Sequence, residues 1–173
     1  MPNNKKLAIL FILIGILGRI IPHPANVTPI TNLCIFSGRK LSRVLAMMTI
    51  LITMAISDIL LALIKGYPAF GSWTLFTYSG FIAITLLYRG PIMLVVLSAT
   101  LGYWLWTNFG VWWLGMLTTH YTHNLNGLIA CYIAALPFLR NALLGNLLWM
   151  IVIFAVSKNY GGYAYENTTR QGP

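Results

Sequence analysis

Residues 44–64 form an apolar run with a single charge, Asp58, and basic residues, Arg43 and Lys65, bracket it. An α-helix needs about 20 mostly apolar residues to cross the hydrocarbon of a bilayer, at roughly 1.5 Å per residue. Lipid tolerates such a segment because a helix satisfies its own backbone N–H and C=O groups. The rest of the chain has the same character. Of its 173 residues 58% are hydrophobic and 8% charged, whereas soluble domains carry about 25% charged residues. A water-facing surface cannot be built from this composition, so the predicted fold class is all-α and integral to a membrane.

Other segments of this kind flank the run. Residues 7–21 read as a first helix, with Gly15 and Gly18 as positions where a neighbouring helix can approach closely. Pro22 and Pro24 make residues 22–27 a non-helical loop. Residues 29–38 suit a half-helix or a tilted crossing buried in protein. Residues 72–88 and 91–106 read as two more helices joined by the turn Arg89-Gly90-Pro91. Tyr103, Trp104, Trp106, Phe109, Trp112, Trp113 and Tyr121 then make the chain aromatic. Residues 124–137 and 141–156 close the membrane part, separated by Pro137 and Arg140. The expectation is six main transmembrane helices, with a short second helix and a kinked last passage. They form one domain over 1–157, followed by a polar tail over 158–173. The first residues resemble a signal peptide, but the apolar run ends at Arg19 with no small-x-small cleavage site behind it, so an uncleaved first helix is expected.

The net charge of +9 sets eleven Lys and Arg against Asp58 and Glu166. The basic residues stand singly or in small clusters between apolar runs, as in positive-inside anchoring. A basic stripe with spaced aromatics is missing, so no nucleic-acid partner is expected. With the N-terminus inside and 124–156 as one kinked passage, Lys5, Lys6, Arg39, Lys40, Arg43, Arg89, Lys158 and Arg170 are cytoplasmic. Arg19, Lys65 and Arg140 are outside, a bias of eight against three. Making 124–137 a full crossing gives seven against four.

In the preferred topology Asp58 sits about 10 Å below the outer end of its helix. An acid near mid-membrane costs about 2.5–3.5 kcal/mol on insertion scales and calls for a partner; Arg140 is the base expected at matching depth. Tyr78 and His23 fall in the same outer layer. Two readings follow. One is an outward-facing solute pocket in which Asp58 and Arg140 orient the ligand. The other is a structural Asp58–Arg140 pair that locks two helices.

His120 and His123 have the H-x-x-H spacing of a metal pair, but no carboxylate or thiol is close in sequence and no metal site is expected. The aromatic stretch suits an interfacial belt or a ligand-stacking wall. Cys34 and Cys131 lie in separate apolar segments and read as small packing residues. Catalysis is not expected. No G-x-S-x-G or H-E-x-x-H motif occurs, the membrane part holds one acid, and nothing singles out Ser72, Ser79 or Ser98 as a nucleophile.

Several stretches together resemble a known family. They are Arg-Ile-Ile-Pro-His-Pro-Ala-Asn-Val-Thr-Pro-Ile-Thr over 19–31, Ala-Ile-Ser-Asp over 55–58, Thr-Asn-Phe-Gly-Val-Trp over 107–112, and Ala-Leu-Pro-Phe over 135–138. Over roughly residues 7–157 the chain is similar to the substrate-binding S components of energy-coupling-factor vitamin transporters, in particular the solitary cobalamin type. The resemblance implies a six-helix, multi-pass protein of the bacterial cytoplasmic membrane with an outward-facing pocket under the first loop. Cobalamin is then the first candidate ligand, carried as a solute and not as a cofactor. His23, Asp58, Tyr78 and Arg140 stand where it implies polar pocket residues, and Asn108 and Trp112 of the 107–112 stretch join them as candidate substrate-binding residues. Energising transporter subunits are possible partners, or the protein acts alone. Two departures stand out. Gly71-Ser72-Trp73-Thr74 lacks the cysteine that ligates cobalt in some members, and Ala8 is followed four residues later by Ile12 where a docking Ala-x-x-x-Ala would have alanine.

Overall fold

The computed structural model describes residues 2–87, 89–115 and 121–158. Among them the chain is all-helical: α1 (Pro2–Ile20), α2 (Ile30–Lys40), α3 (Arg43–Lys65), α4 (Trp73–Leu87), α5 (Ile92–Leu114), α6 (Leu125–Ala134) and α7 (Leu136–Lys158). Three of these, α3, α5 and α7, are long and apolar enough to cross a membrane. Their inward faces are narrow, and large apolar side chains such as Leu63, Leu94, Leu148 and Ile151 point outward. A surface of that kind belongs in lipid, and the protein is membrane-associated.

The centre of the bundle is α2. Every residue from Ile30 to Ser37 is buried, and α1, α3, α4, α5 and α7 pack around it. The short second helix is thus a protein-buried one, which is how it can carry Thr31, Asn32 and Ser37 within an apolar bundle.

On α3 the buried residues Ala46, Thr49, Ile50, Thr53, Met54, Ser57 and Leu61 recur every three or four positions and form one face. Its hydroxyls can be buried because each donates to a carbonyl one turn back: Thr49 to Leu45 at 2.7 Å, Thr53 to Thr49 at 2.7 Å, and Ser57 to Thr53 at 2.6 Å. Gly15 of α1 sits on Thr53, where a methyl group would overlap the threonine side chain and Leu33. Gly18 meets Pro29 and Trp149 in the same way. Both glycines are the close-packing positions expected of them.

The helix ends follow local chemistry. α3 stops at Gly66, whose φ of 74° is a left-handed cap that hydrogen-bonds back to Ala62, two residues before Pro68. α5 runs about two turns beyond the expected end near Trp106, because aromatic residues do not break a helix; it ends at Gly115, with φ 58°. Between α6 and α7 stands the single residue Ala135, with helical backbone angles (φ −86°, ψ −5°). The chain therefore bends there and does not fold back as a hairpin. Pro137 is the cause: it has no N–H to offer the Ile133 carbonyl, and it sits in the first turn of α7, where proline is tolerated. The Trp104 indole holds the bend by donating to the Ala135 carbonyl at 3.0 Å.

Candidate functional site

The register between α1 and α3 places the charges. One turn beyond the Gly15–Thr53 contact, each helix advances by four residues, which brings Arg19 opposite Ser57 and Asp58. Arg19 Nη2 pairs with Asp58 Oδ1 at 2.6 Å, and Nη1 donates to Ser57 Oγ at 2.5 Å and to the Met54 carbonyl at 3.5 Å. From α4, the Tyr78 hydroxyl donates to Asp58 Oδ2 at 2.8 Å. Each carboxylate oxygen of Asp58 thus has a protein donor. The two charged side chains are 17% and 16% exposed.

The expected partner of Asp58 was Arg140, and this is corrected: the partner is Arg19. Arg140 is exposed near the start of α7 and does not pair with Asp58. Depth along a helix does not fix direction around it. A helix presents a residue at one depth to any of several neighbours, and packing at Gly15 selects α1.

Cavities open on both sides of Arg19. One of about 490 Å³ is lined by Arg19 and Asp58 at its polar end and by Tyr67, Trp73, Phe76 and Val111 elsewhere. A second, of about 320 Å³, is lined by Arg19 with Thr31, Thr100, Tyr103, Asn108 and Asn146 among others. Arg19, Thr77 and Thr107 belong to both. A third space of about 360 Å³ lies toward α6, with Cys131 and Phe138, and shares Asn26, Thr107 and Asn108 with the second. The volumes fall in the range of roughly 300–1,000 Å³ typical of small-molecule sites.

Beneath the second cavity three helices meet in a neutral network. Asn32 Nδ2 of α2 donates to the Asn146 carbonyl at 2.9 Å and to its Oδ1 at 3.3 Å, and Asn146 Nδ2 donates to Thr100 Oγ1 at 2.9 Å. All three residues are buried.

The other sequence-derived residues are spread out. His23 is exposed in the first loop, its Nδ1 2.8 Å from the Pro24 carbonyl, and it lines none of these cavities. Asn108 lines two of them while its amide donates to the Trp104 carbonyl at 2.8 Å. Trp112 donates to the Thr122 carbonyl at 3.0 Å and packs against Phe109, Trp113 and His123. The possible metal pair includes His120, which lies outside the described residues; among those described, no group of three or more His, Cys, Asp and Glu is placed to hold a metal. Both cysteines are free and buried. Arg19, Thr77, Thr107 and Asn146 were not foreseen. The signal for Arg19 was spacing: Gly15 and Arg19 are four apart, as are Thr53 and Ser57, so that each pair shares one helical face.

No curated protein and no solved structure matches the chain. One family model, described as a family of unknown function (DUF6580), matches residues 2–166, nearly the whole length, and the chain belongs to that family.

Proposed function

We propose that this protein is a substrate-binding membrane transporter for a vitamin-like micronutrient. In this reading it has six main crossings, its N-terminus lies on the cytoplasmic side of a bacterial inner membrane, and its pocket faces outward. The observation that carries the reading is the position of Arg19, which borders both a largely apolar cavity and a more polar one. A guanidinium has five N–H donors, and Asp58, Ser57 and Met54 are its acceptors among the described residues. Donors remain for a carboxylate, phosphate or carbonyl of a ligand, with Tyr67, Trp73 and Phe76 beside an apolar ring and Asn108 and Asn146 beside polar substituents.

Cobalamin is the first ligand to test, on the resemblance to solitary S components, and it would have to occupy the connected cavities together. A thiamine-sized molecule would fill one. The experiment is equilibrium binding of cobalamin and of smaller vitamins to the purified full chain, repeated with Arg19→Gln. Saturable binding that weakens at least tenfold in the variant is expected. Absence of binding by every vitamin tested would refute the proposal, and binding of small vitamins without cobalamin would remove only the corrinoid.

A second reading is favoured by the same ion pair: a structural or assembly protein in which the charged pair locks helices, now α1 to α3. It predicts that Arg19→Leu with Asp58→Leu keeps full activity, whereas a pocket that uses Arg19 stays inactive in the double variant.

A further inference from the structure

The end of the bundle remote from Arg19 carries a second polar constellation, a cluster of cations. α2 closes with Arg39 and Lys40, α3 opens with Arg43, and Arg89 lies in the turn before α5. Asp58 is fifteen residues along α3 from Arg43, so the two sites lie about 22 Å apart.

Close packing at one glycine builds this cluster. Gly38 lies against the Thr85 carbonyl, where a methyl group would overlap it, and next to the Arg89 guanidinium. This contact brings the end of α2 onto the end of α4. Arg39 Nη2 then donates to the Gly90 carbonyl at 2.6 Å, and Arg89 Nη1 donates to the Thr85 carbonyl at 3.2 Å. These are not loose surface charges: Lys40 is 7% exposed, and Arg39 and Arg89 are half-buried.

The charge inventory decides what such a cluster needs. The chain has two acids, Asp58 and Glu166. Asp58 is engaged by Arg19 at the other site. Arg43 is exposed; whatever other contacts Arg39, Lys40 and Arg89 make, one remaining acidic side chain is fewer than their three positive charges, and like charges withdrawn from water are costly without enough counter-charge.

We propose that this end of the bundle is a binding site for the phosphate of an anionic phospholipid headgroup. Arginine suits it because its fork of N–H donors matches phosphate oxygens in pairs. A basic pocket among helix ends is the usual form of such lipid sites. A lipid, and not a soluble anion, is favoured by the neighbouring surface: Val44, Leu87, Met93 and Leu94 adjoin Arg43 and Arg89 in sequence and point outward. They offer acyl chains an apolar bed directly beside the cations.

The test uses the full chain in nanodiscs of phosphatidylcholine with or without one part in four of phosphatidylglycerol, with native mass spectrometry reading the lipid retained. Phosphatidylglycerol should be retained in preference. The variant Arg39→Gln with Arg89→Gln should lose about fivefold per arginine, or about twenty-fivefold together. Lys5→Gln with Lys6→Gln, which removes the same charge from the start of α1, should keep the preference. Arg39→Lys with Arg89→Lys checks folding, since it keeps the charge and loses only paired geometry; an intermediate preference is expected. Equal retention of both lipids would overturn the proposal. So would an equal loss in the Lys5/Lys6 variant, which would mark a diffuse field, or equal thermal stabilisation by inorganic phosphate and phosphatidylglycerol at the same concentration, which would mark a soluble anion.

Discussion

Breaking the Arg19–Asp58 pair from either side should cost more than removing it whole. Arg19→Leu leaves Asp58 with the Tyr78 hydroxyl alone, and Asp58→Leu leaves Arg19 with Ser57 and the Met54 carbonyl. Removing one partner of a fully buried pair costs about 3–5 kcal/mol. Here the side chains are 17% and 16% exposed and border cavities that admit water, which lowers the figure to about 2–3 kcal/mol for each single variant. The double leucine variant strands no charge. It loses the Tyr78 hydrogen bond and the Arg19 bonds to Ser57 and the Met54 carbonyl and should be about 1–2 kcal/mol less stable than the native chain, for a coupling of about 2–5 kcal/mol. The assay is reversible unfolding in bicelles titrated with a denaturing detergent, followed by tryptophan fluorescence. A double variant equal to the sum of the singles within about 0.5 kcal/mol would refute the idea that the two charges depend on each other. Arg140→Ala, at an exposed position, should change stability by no more than about 0.5 kcal/mol; a cost comparable to that of Arg19→Leu would return Arg140 to the pair.

The remaining predictions concern the groups around the pair. Tyr78→Phe removes the donor to Asp58 Oδ2 and should cost about 1.5–3 kcal/mol in the same unfolding assay; no loss would place the phenol outside the network. Gly15→Val puts a branched side chain against Thr53 and Leu33 and should cost about 1–3 kcal/mol, with part restored by Thr53→Ala, and a neutral effect would mean that α1 and α3 are not closely packed there. Asn146→Leu leaves Asn32 Nδ2 with one acceptor fewer and Thr100 without its donor, at about 1–3 kcal/mol. Since Asn146 also lines the polar cavity, weaker ligand binding should accompany that loss, and unchanged affinity would restrict the residue to structure.

What the sequence made legible was whatever depends on runs and breakers. α3 was readable from one charge in an apolar run, and the bend before α7 from Pro137. The depth of Asp58 and Tyr78 in a common layer followed from the rise per residue, and these two do meet. What could not be read was direction around each helix axis. Arg19 looked like a boundary charge at the end of an apolar run, yet the Gly15 contact turns it inward to α3. The central place of α2 was also hidden. Thr31, Asn32 and Ser37 lower its apolar signal, and Asn32 is tolerated only because Asn146 reaches it from a helix more than a hundred residues later. The end of α5 was placed too early because an aromatic stretch reads as an interface, although its backbone stays helical until Gly115 permits a left-handed turn.

The two members of the ion pair are not equivalent, and the difference supports the proposed site over a lock. Asp58 gives one oxygen to α1 and the other to α4, so it joins three helices and its direction is set by them. Arg19 is held by contacts on α3 alone and still borders two cavities. A pure lock has no use for open space on both sides of its cation. A binding site requires that space, since a ligand oxygen can reach only a donor that the protein has not already used. In the proposed pocket Asp58 is the fixed anchor that pre-orients the guanidinium, and Arg19 is the group that would meet the solute. The neutral amides and hydroxyls of Asn146, Thr100 and Asn108 complete the polar cavity without adding a charge, so in that cavity Arg19 carries the one positive charge that a ligand's anionic or carbonyl group would answer.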